Sequence, residues 1–252
     1  MEEPDFTYWR HPTVPGIKVE EVSGGTRYKG KVWKEMARQI YCENGRDEYR
    51  EIGHYRNRAP FLFGEQARIS VTHCDGLFAV ATLPDTPDTD LSEFSETTAM
   101  GIDAERADRS QVLNIRERFL SPEELREIPA EDVGQNVLAW TVKEAVYKAA
   151  LHEGLDFRND IRIVRMPRLA PPTPVFDPKE FGLGPDEKNL PESFFGEAVT
   201  VISDNKDEGE TTGVGNCCNK KQIKYRIYSY VTDGTVVTLA YSPSCITFGK
   251  NR

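Results

Sequence analysis

The stretch WTVKEAVYKA, residues 140–149, decides how the rest of the chain is interpreted. At helical pitch Trp140, Glu144 and Lys148 lie on one face, at positions i, i+4 and i+8. The apolar positions form a stripe behind that face: Leu138, Val142, Ala145 and Ala149. The pattern therefore predicts a helix that buries one side and presents polar chemistry on the other.

A second stretch, GIDAE at residues 101–105, is typical of a strand. If it is extended, Asp103 and Glu105 point to one face while Ile102 and Ala104 point into a core. Two neighbouring carboxylates repel each other, so such a pair is usually solvated, bridged by a cation or partly protonated.

Adding Glu144 to Asp103 and Glu105 gives three oxygen donors, which could hold a hard divalent ion of the magnesium type. Magnesium keeps several waters and binds through a few carboxylates together with substrate phosphates. Lys143 and Lys148 flank Glu144 and are candidate phosphate partners. The sequence thus predicts a metal and phosphate site built from a strand and a helix.

Three motifs occur in order: GIDAE, then FLSPEE at residues 119–124, then WTVKEAVYKA. Together they resemble the 4'-phosphopantetheinyl transferase superfamily, with its G-[IV]-D-x-E strand, F-[FL]-S-x-x-E segment and W-[ST]-x-K-E-[AS]-x-x-K helix. Each motif alone is a weak signal, and the combination is specific. The resemblance extends from about Arg56 to Phe157.

The resemblance implies an enzyme that moves the phosphopantetheine arm of coenzyme A onto a serine of an acyl or peptidyl carrier protein, releasing adenosine 3',5'-bisphosphate. It implies Mg2+ on Asp103, Glu105 and Glu144, with Lys143 and Lys148 offsetting charge on the diphosphate. Phosphoryl transfer is mostly positioning and charge neutralisation, which suits these residue types. The general base is either Glu144 or a metal-bound water that it orients.

The resemblance also implies ligands for the 3'-phosphate of coenzyme A. ISVTHCDG at residues 69–76 is similar to the family's strand and turn before the first half ends, and His73 is its best-matched position, with Thr72 beside it. RNRAPF at residues 56–61 is similar to a G-K-P-[YF] element, with arginine in place of lysine, which makes Arg58 a candidate. Arg27 is the fourth candidate, in a basic turn.

Two other functions remain open. A metal-dependent nucleotide pyrophosphatase needs the same carboxylates and cations, and it would release free phosphopantetheine without a carrier. A non-catalytic protein that binds carriers could keep the same fold. The sequence does not identify the carrier or its pathway.

By the same resemblance, the fold class is α/β (α+β), with two pseudo-symmetric halves. Each half is expected to hold a small antiparallel sheet packed with a long helix, and the site lies between them. The halves would span residues 1–99, on the coenzyme A 3'-phosphate side, and 100–252, with the metal site. Family members of this double length usually act as monomers, so the resemblance implies a monomer.

Composition narrows the partners. The net charge of -9 argues against a general nucleic-acid binder, which would carry a basic stripe. The 5 cysteines are odd in number and contain no CxxC pair, so neither a disulfide framework nor a zinc site is indicated. No signal peptide or membrane span is visible, so we expect a cytoplasmic protein.

Local patterns predict further elements. A helix is expected at 26–42, a surface insertion at 83–98, a helix at 114–119, strands at 161–165 and 197–202, and a polar segment of unreadable purpose within 166–219, including Cys217 and Cys218. Ser121, Pro122 and Glu124 fit a capping box. Asp233-Gly234 between alternating strands predicts a hairpin.

Overall fold

The structure is a computed structural model, which describes residues 6–10, 18–23, 52–54, 60–62, 68–83, 99–169, 192–203 and 220–242. The predicted helix at 26–42, the insertion after residue 83 and the polar segment at 204–219 lie outside these residues. So do two of the predicted coenzyme A ligands, Arg27 and Arg58.

The first sheet is antiparallel and has the strand order β1-β2-β6-β5-β4-β3. Its strands are β1 (Phe6–Arg10), β2 (Lys18–Ser23), β3 (Ile52–His54), β4 (Pro60–Leu62), β5 (Arg68–Cys74) and β6 (Leu77–Leu83). β5 and β6 form a hairpin in which Cys74 faces Leu77 and Gly76 has a φ of 119°. The strand and turn predicted at residues 69–76 are confirmed.

The second sheet is also antiparallel, in the order β7-β11-β10-β9-β8. Its strands are β7 (Ala99–Arg106), β8 (Ile161–Arg165), β9 (Gly196–Ser203), β10 (Lys220–Thr232) and β11 (Thr235–Ser242). Asp233 and Gly234 join β10 to β11 with φ angles of 46° and 70°. Positive φ at both turn residues is what a tight hairpin requires, so the predicted Asp-Gly turn is confirmed.

The α-helices of the described residues follow β7. They are α1 (Arg116–Phe119), α2 (Pro122–Glu127) and α3 (Val133–Ala150), and a 3-10 helix (Ser110–Ile115) precedes α1. The single helix expected at 114–119 is therefore a 3-10 turn that continues into α1. The capping box at the start of α2 is confirmed, because Ser121 and Glu124 exchange side-chain and backbone hydrogen bonds.

Helix α3 contains the WTVKEAVYKA stretch and is 18 residues long. The carboxylate of Asp132 caps its first turn by accepting a hydrogen bond from the Gln135 N–H at 2.9 Å. The helix ends at Ala150, and Leu151 follows it in the left-handed conformation, with a φ of 51°. Gly154 takes a positive φ three residues later.

The second sheet is covered on both faces. α3 packs on one face against apolar side chains of β8 to β11, including Ile161, Tyr225 and Ala240. On the other face Ile102 and Ala104 join Leu77 and residues of β10 in a separate apolar cluster. The prediction that Ile102 and Ala104 face a core is confirmed, since they are 0% and 4% exposed.

A mixed α/β fold with antiparallel sheets is thus confirmed. The predicted pseudo-symmetry is not: among the described residues the first sheet has six strands and the second five, and the long helix described lies beside the second sheet. The boundary near residue 99 stays a prediction. None of the helices in the described part of the chain combines the length and hydrophobicity needed to cross a lipid bilayer.

Candidate active site

Helix α3 lies directly on strand β7 because Gly101 has no side chain. A Cβ added at Gly101 would come within 2.1 Å of the Ala145 carbonyl oxygen and 2.6 Å of the Ala149 nitrogen. Non-bonded heavy atoms do not approach a Cβ so closely, so only glycine permits this contact. The contact brings the polar face of α3, with Glu144 and Lys148, beside Asp103 on β7.

Asp103 is the centre of the site and is 7% exposed. Its Oδ1 accepts one hydrogen bond from Lys148 Nζ at 2.7 Å and another from Thr72 Oγ1 at 3.2 Å. The Lys148 bond is also an ion pair. A carboxylate that is buried needs such donors, because removing it from water is costly.

Lys148 uses all three ammonium protons. Besides Asp103, Nζ donates to the backbone oxygen of Ile102 at 3.0 Å and to that of Val71 at 3.5 Å. It therefore links α3 to both sheets. The bond to Val71 is the longest and the easiest to exchange for an oxygen of a ligand.

Glu144 is a partly buried carboxyl whose pKa is raised from its ordinary value of 4.5 to about 7. Burial is the main cause, the negative charge of Asp103 adds to it, and the positive charge of Lys148 opposes it. Glu144 and Asp103 are thus electrostatic neighbours. At neutral pH Glu144 can either give up or take a proton, which is the property of a general base.

Glu105 faces a different partner. Its Oε2 forms an ion pair with the Arg109 guanidinium, and its Oε1 accepts a hydrogen bond from the Arg106 N–H at 3.0 Å. Nothing in the sequence predicted Arg109 at this place, because it follows the end of β7, where neither strand nor helix periodicity fixes a direction.

The predicted metal ligands are therefore only partly assembled. Within the residues that the structure describes, no group of three His, Cys, Asp or Glu side chains is arranged to hold a metal ion. Asp103 pairs with the ammonium of Lys148, and the positive charge of that ammonium also acts on Glu144, so both carboxyl groups already lie near a cation. Magnesium can bind through one or two carboxylates plus substrate phosphates, so this pair fits the ion. Glu105 can join it only when Arg109 releases its carboxylate.

The structure places Lys143 away from the predicted phosphate site. This side chain is 0% exposed and points away from Asp103, into a pocket where Nζ pairs with Glu124 Oε2 at 2.6 Å. It also donates to the backbone oxygens of Phe157 at 2.8 Å and Ile161 at 2.7 Å. Burial lowers the pKa of Lys143, and Glu124 opposes that effect. Lys143 holds the fold together and cannot reach a phosphate in this arrangement.

Glu124 is more than a capping residue. Besides pairing with Lys143, it accepts hydrogen bonds from the Ser121 N–H at 2.7 Å and the Ile163 N–H at 2.7 Å. It therefore ties α2, α3 and β8 together. Glu124 belongs to the FLSPEE motif, but in the sequence its capping role already accounted for its presence, so the pairing with Lys143 was not predicted.

Thr72 also has partners other than the predicted phosphate. Its side chain is 4% exposed and turned towards β7, where the hydroxyl bonds Asp103 and accepts from the Ala104 N–H at 3.0 Å. A hydroxyl has one proton to donate, and in Thr72 that proton is directed at Asp103. The predicted contact with a phosphate of coenzyme A is not available to it here.

His73 points the other way. Because side chains alternate along a strand, His73 is exposed while Thr72 is buried. It lines a cleft of about 690 Å³ together with Glu105, Arg106 and Arg109. The cleft thus joins the predicted 3'-phosphate ligand to the acidic end of β7. Besides its three basic side chains, its wall carries the carboxylates of Asp75, Glu105 and Asp108.

Trp140 fills space beside α3. Its ring makes an edge contact with Phe119 at 5.1 Å between centroids and a tilted one with Phe157 at 5.7 Å. Tyr147 packs on Phe157 as well, at 5.2 Å. These contacts give Trp140 a packing role beside α3.

Comparison with known proteins agrees with the motifs. Residues 99–183, about a third of the chain, match the family model of the 4'-phosphopantetheinyl transferase superfamily. The match begins at β7 and includes α3, which carry Asp103, Glu105, Glu144 and Lys148. No curated protein matches the sequence significantly. Residues 99–183 are thus similar to the 4'-phosphopantetheinyl transferase superfamily, which supports the resemblance that the motifs indicated.

Proposed function

We propose that the protein transfers the 4'-phosphopantetheine arm of coenzyme A to a serine of an acyl or peptidyl carrier protein. The superfamily implies phosphopantetheine transfer in general. The observation that carries the finer proposal is the meeting of Asp103, Glu144 and Lys148 where α3 lies on β7.

In this reaction the serine oxygen attacks the phosphorus that carries the pantetheine arm. The bond from that phosphorus to the bridging oxygen breaks, and adenosine 3',5'-bisphosphate leaves. The serine proton passes to Glu144, directly or through a water that Glu144 orients. In the metal-free chain the pKa of this carboxyl is about 7, and a bound cation would favour the ionised form that accepts the proton.

Charge on the diphosphate has to be offset as the bond breaks. A magnesium ion held by Asp103 and Glu144, with Glu105 added once Arg109 releases it, would supply positive charge at the diphosphate oxygens. Lys148 is already beside Asp103 and can turn one proton from the Val71 carbonyl to a phosphate oxygen. Lys143, buried against Glu124, has no direct part.

The 3'-phosphate is assigned to the cleft side of the molecule. His73 is exposed there and can donate a hydrogen bond to a phosphate oxygen. Arg58 and Arg27 remain candidate partners of the same phosphate, by resemblance. Because Thr72 is committed to Asp103, we leave it out of this group.

The test is mass spectrometry of purified acyl and peptidyl carrier proteins after incubation with the protein, coenzyme A and Mg2+. We expect one carrier to gain the mass of a single phosphopantetheine arm on its serine. Asp103→Asn and Glu144→Gln should abolish the gain, whereas Glu127→Gln, an exposed position on α2, should not.

Two results contradict the proposal. Release of free phosphopantetheine from coenzyme A, with no carrier modified, would indicate a nucleotide pyrophosphatase. Carrier binding without any modification, at every Mg2+ concentration, would indicate a non-catalytic carrier-binding protein. Normal turnover by Asp103→Asn would remove the metal assignment.

A further inference from the structure

Strands β5 and β7 belong to different sheets but lie against each other, joined by two hydroxyl groups. Ser70 Oγ accepts a hydrogen bond from the Ile102 N–H at 3.0 Å, and Thr72 Oγ1 accepts one from the Ala104 N–H at 3.0 Å. β7 is an edge strand of the second sheet, and an edge strand presents unpaired N–H groups. The two hydroxyls satisfy these groups in place of a neighbouring strand.

Thr72 makes one contact that Ser70 does not. Its hydroxyl also donates to Asp103 Oδ1 at 3.2 Å, whereas in the described part of the chain Ser70 contacts no carboxylate. Both side chains are buried, at 4% exposure. The two residues are therefore equivalent as links between the sheets and differ only at Asp103.

The Thr72 and Lys148 donors converge on one oxygen of Asp103. They come from β5 and from α3, on different elements, so together they fix the rotation of the carboxylate. No described residue donates a hydrogen bond to Oδ2. With Oδ1 occupied twice and Oδ2 not used by its neighbours, the carboxylate presents Oδ2 for an external cation.

We propose that Thr72 is a positioning residue, which orients the carboxylate of Asp103 so that its Oδ2 faces a divalent cation. This inference rests on the proposed function for the identity of that cation, and it replaces the role in coenzyme A binding that the sequence suggested for Thr72. Hydrogen bonds of this kind to a metal ligand typically change metal affinity or activity by about 10-fold to 100-fold.

The experiment compares three variants of the full chain. Thr72→Val keeps the shape and removes the hydroxyl, Thr72→Ser keeps the hydroxyl, and Ser70→Ala removes the other link without touching Asp103. Isothermal titration with Mn2+, after chelator treatment, measures cation affinity without any turnover. Melting temperatures show whether Thr72→Val and Ser70→Ala lose similar stability.

We expect Thr72→Val to weaken Mn2+ binding by about 10-fold or more, while Thr72→Ser and Ser70→Ala stay within about 3-fold of the unmodified protein. In the transfer assay Thr72→Val should lower kcat and leave KM for coenzyme A unchanged, because Thr72 does not touch that substrate.

The proposal is overturned if Thr72→Val and Ser70→Ala lose Mn2+ affinity equally, since the effect would then be structural. It is also overturned if Thr72→Val binds Mn2+ normally, if the unmodified protein binds none, or if Thr72→Val raises KM for coenzyme A alone. Failure of the proposed function is distinct: no carrier would be modified, while the order of Mn2+ affinities could still be as expected.

Discussion

Replacing Glu144 by glutamine should change how the stability of the metal-free protein depends on pH. In the folded chain burial, and then the charge of Asp103, raise the pKa of Glu144 from 4.5 to about 7. The native protein therefore holds a proton that the unfolded chain gives up at lower pH. The stability associated with this proton is complete below pH 4.5 and is lost as the pH rises through 7.

The size of the effect follows from the pKa. A tenfold difference in proton affinity is worth about 1.4 kcal/mol, so the free energy of unfolding should fall by about 3 kcal/mol across this range. Glutamine carries no charge at any pH, so the Glu144→Gln variant has no such loss of stability as the pH rises. Relative to the unmodified protein, Glu144→Gln should therefore be more stable at pH 8 than at pH 5, by about 2 kcal/mol or more of the total.

The assay is urea unfolding followed by tryptophan fluorescence, at pH 5 and pH 8, with a chelator present. Glu127→Gln, an exposed glutamate on α2, is the matched control, and it should track the unmodified protein at both pH values. If the difference between Glu144→Gln and the unmodified protein changes by less than about 0.5 kcal/mol between the two pH values, Glu144 is not the buried, proton-holding group described here. Saturating Mg2+ should reduce the difference, because a cation stabilises the ionised carboxylate.

Three further changes test other parts of the structure. Gly101→Ala should lower the melting temperature by roughly 5–10 °C, since its Cβ would lie 2.1 Å from a carbonyl oxygen of α3. Gly134→Ala, with no atom nearer than 3.5 Å, should be neutral or slightly stabilising, and equal effects of the two changes would contradict the close approach. Lys143→Met should lower the free energy of unfolding in urea by about 3–5 kcal/mol, because it leaves the buried Glu124 carboxylate without its lysine. Adding Glu124→Gln should recover part of that loss, and a loss unaffected by the second change would argue against the Lys143–Glu124 ion pair. His73→Ala should raise KM for coenzyme A about tenfold with kcat unchanged, and should leave KM for 3'-dephospho-coenzyme A unchanged. An equal rise in both KM values would contradict the assignment of His73 to the 3'-phosphate.

Several elements could be predicted from the sequence because their signals are local. The Asp233-Gly234 hairpin, the Ser121 capping box and the strand holding Asp103 each depend on a few adjacent residues with a fixed geometry. The left-handed residue at the end of α3 has no such local signal, because it is Leu151 and not a glycine.

The sequence by itself indicated which side chains are candidates for the chemistry: two carboxylates on a strand, a third on a helix, and lysines beside it. It did not determine where those side chains point. Lys143 and Lys148 are five residues apart, so at about 100° per residue they lie roughly 140° apart around the helix axis. Lys148 therefore reaches Asp103 while Lys143 enters the core against Glu124. Likewise Thr72 and His73 alternate across β5, one towards Asp103 and one towards the cleft. Contacts between residues that are distant in sequence form only when the sheets and the helix pack together, so only the tertiary structure shows them.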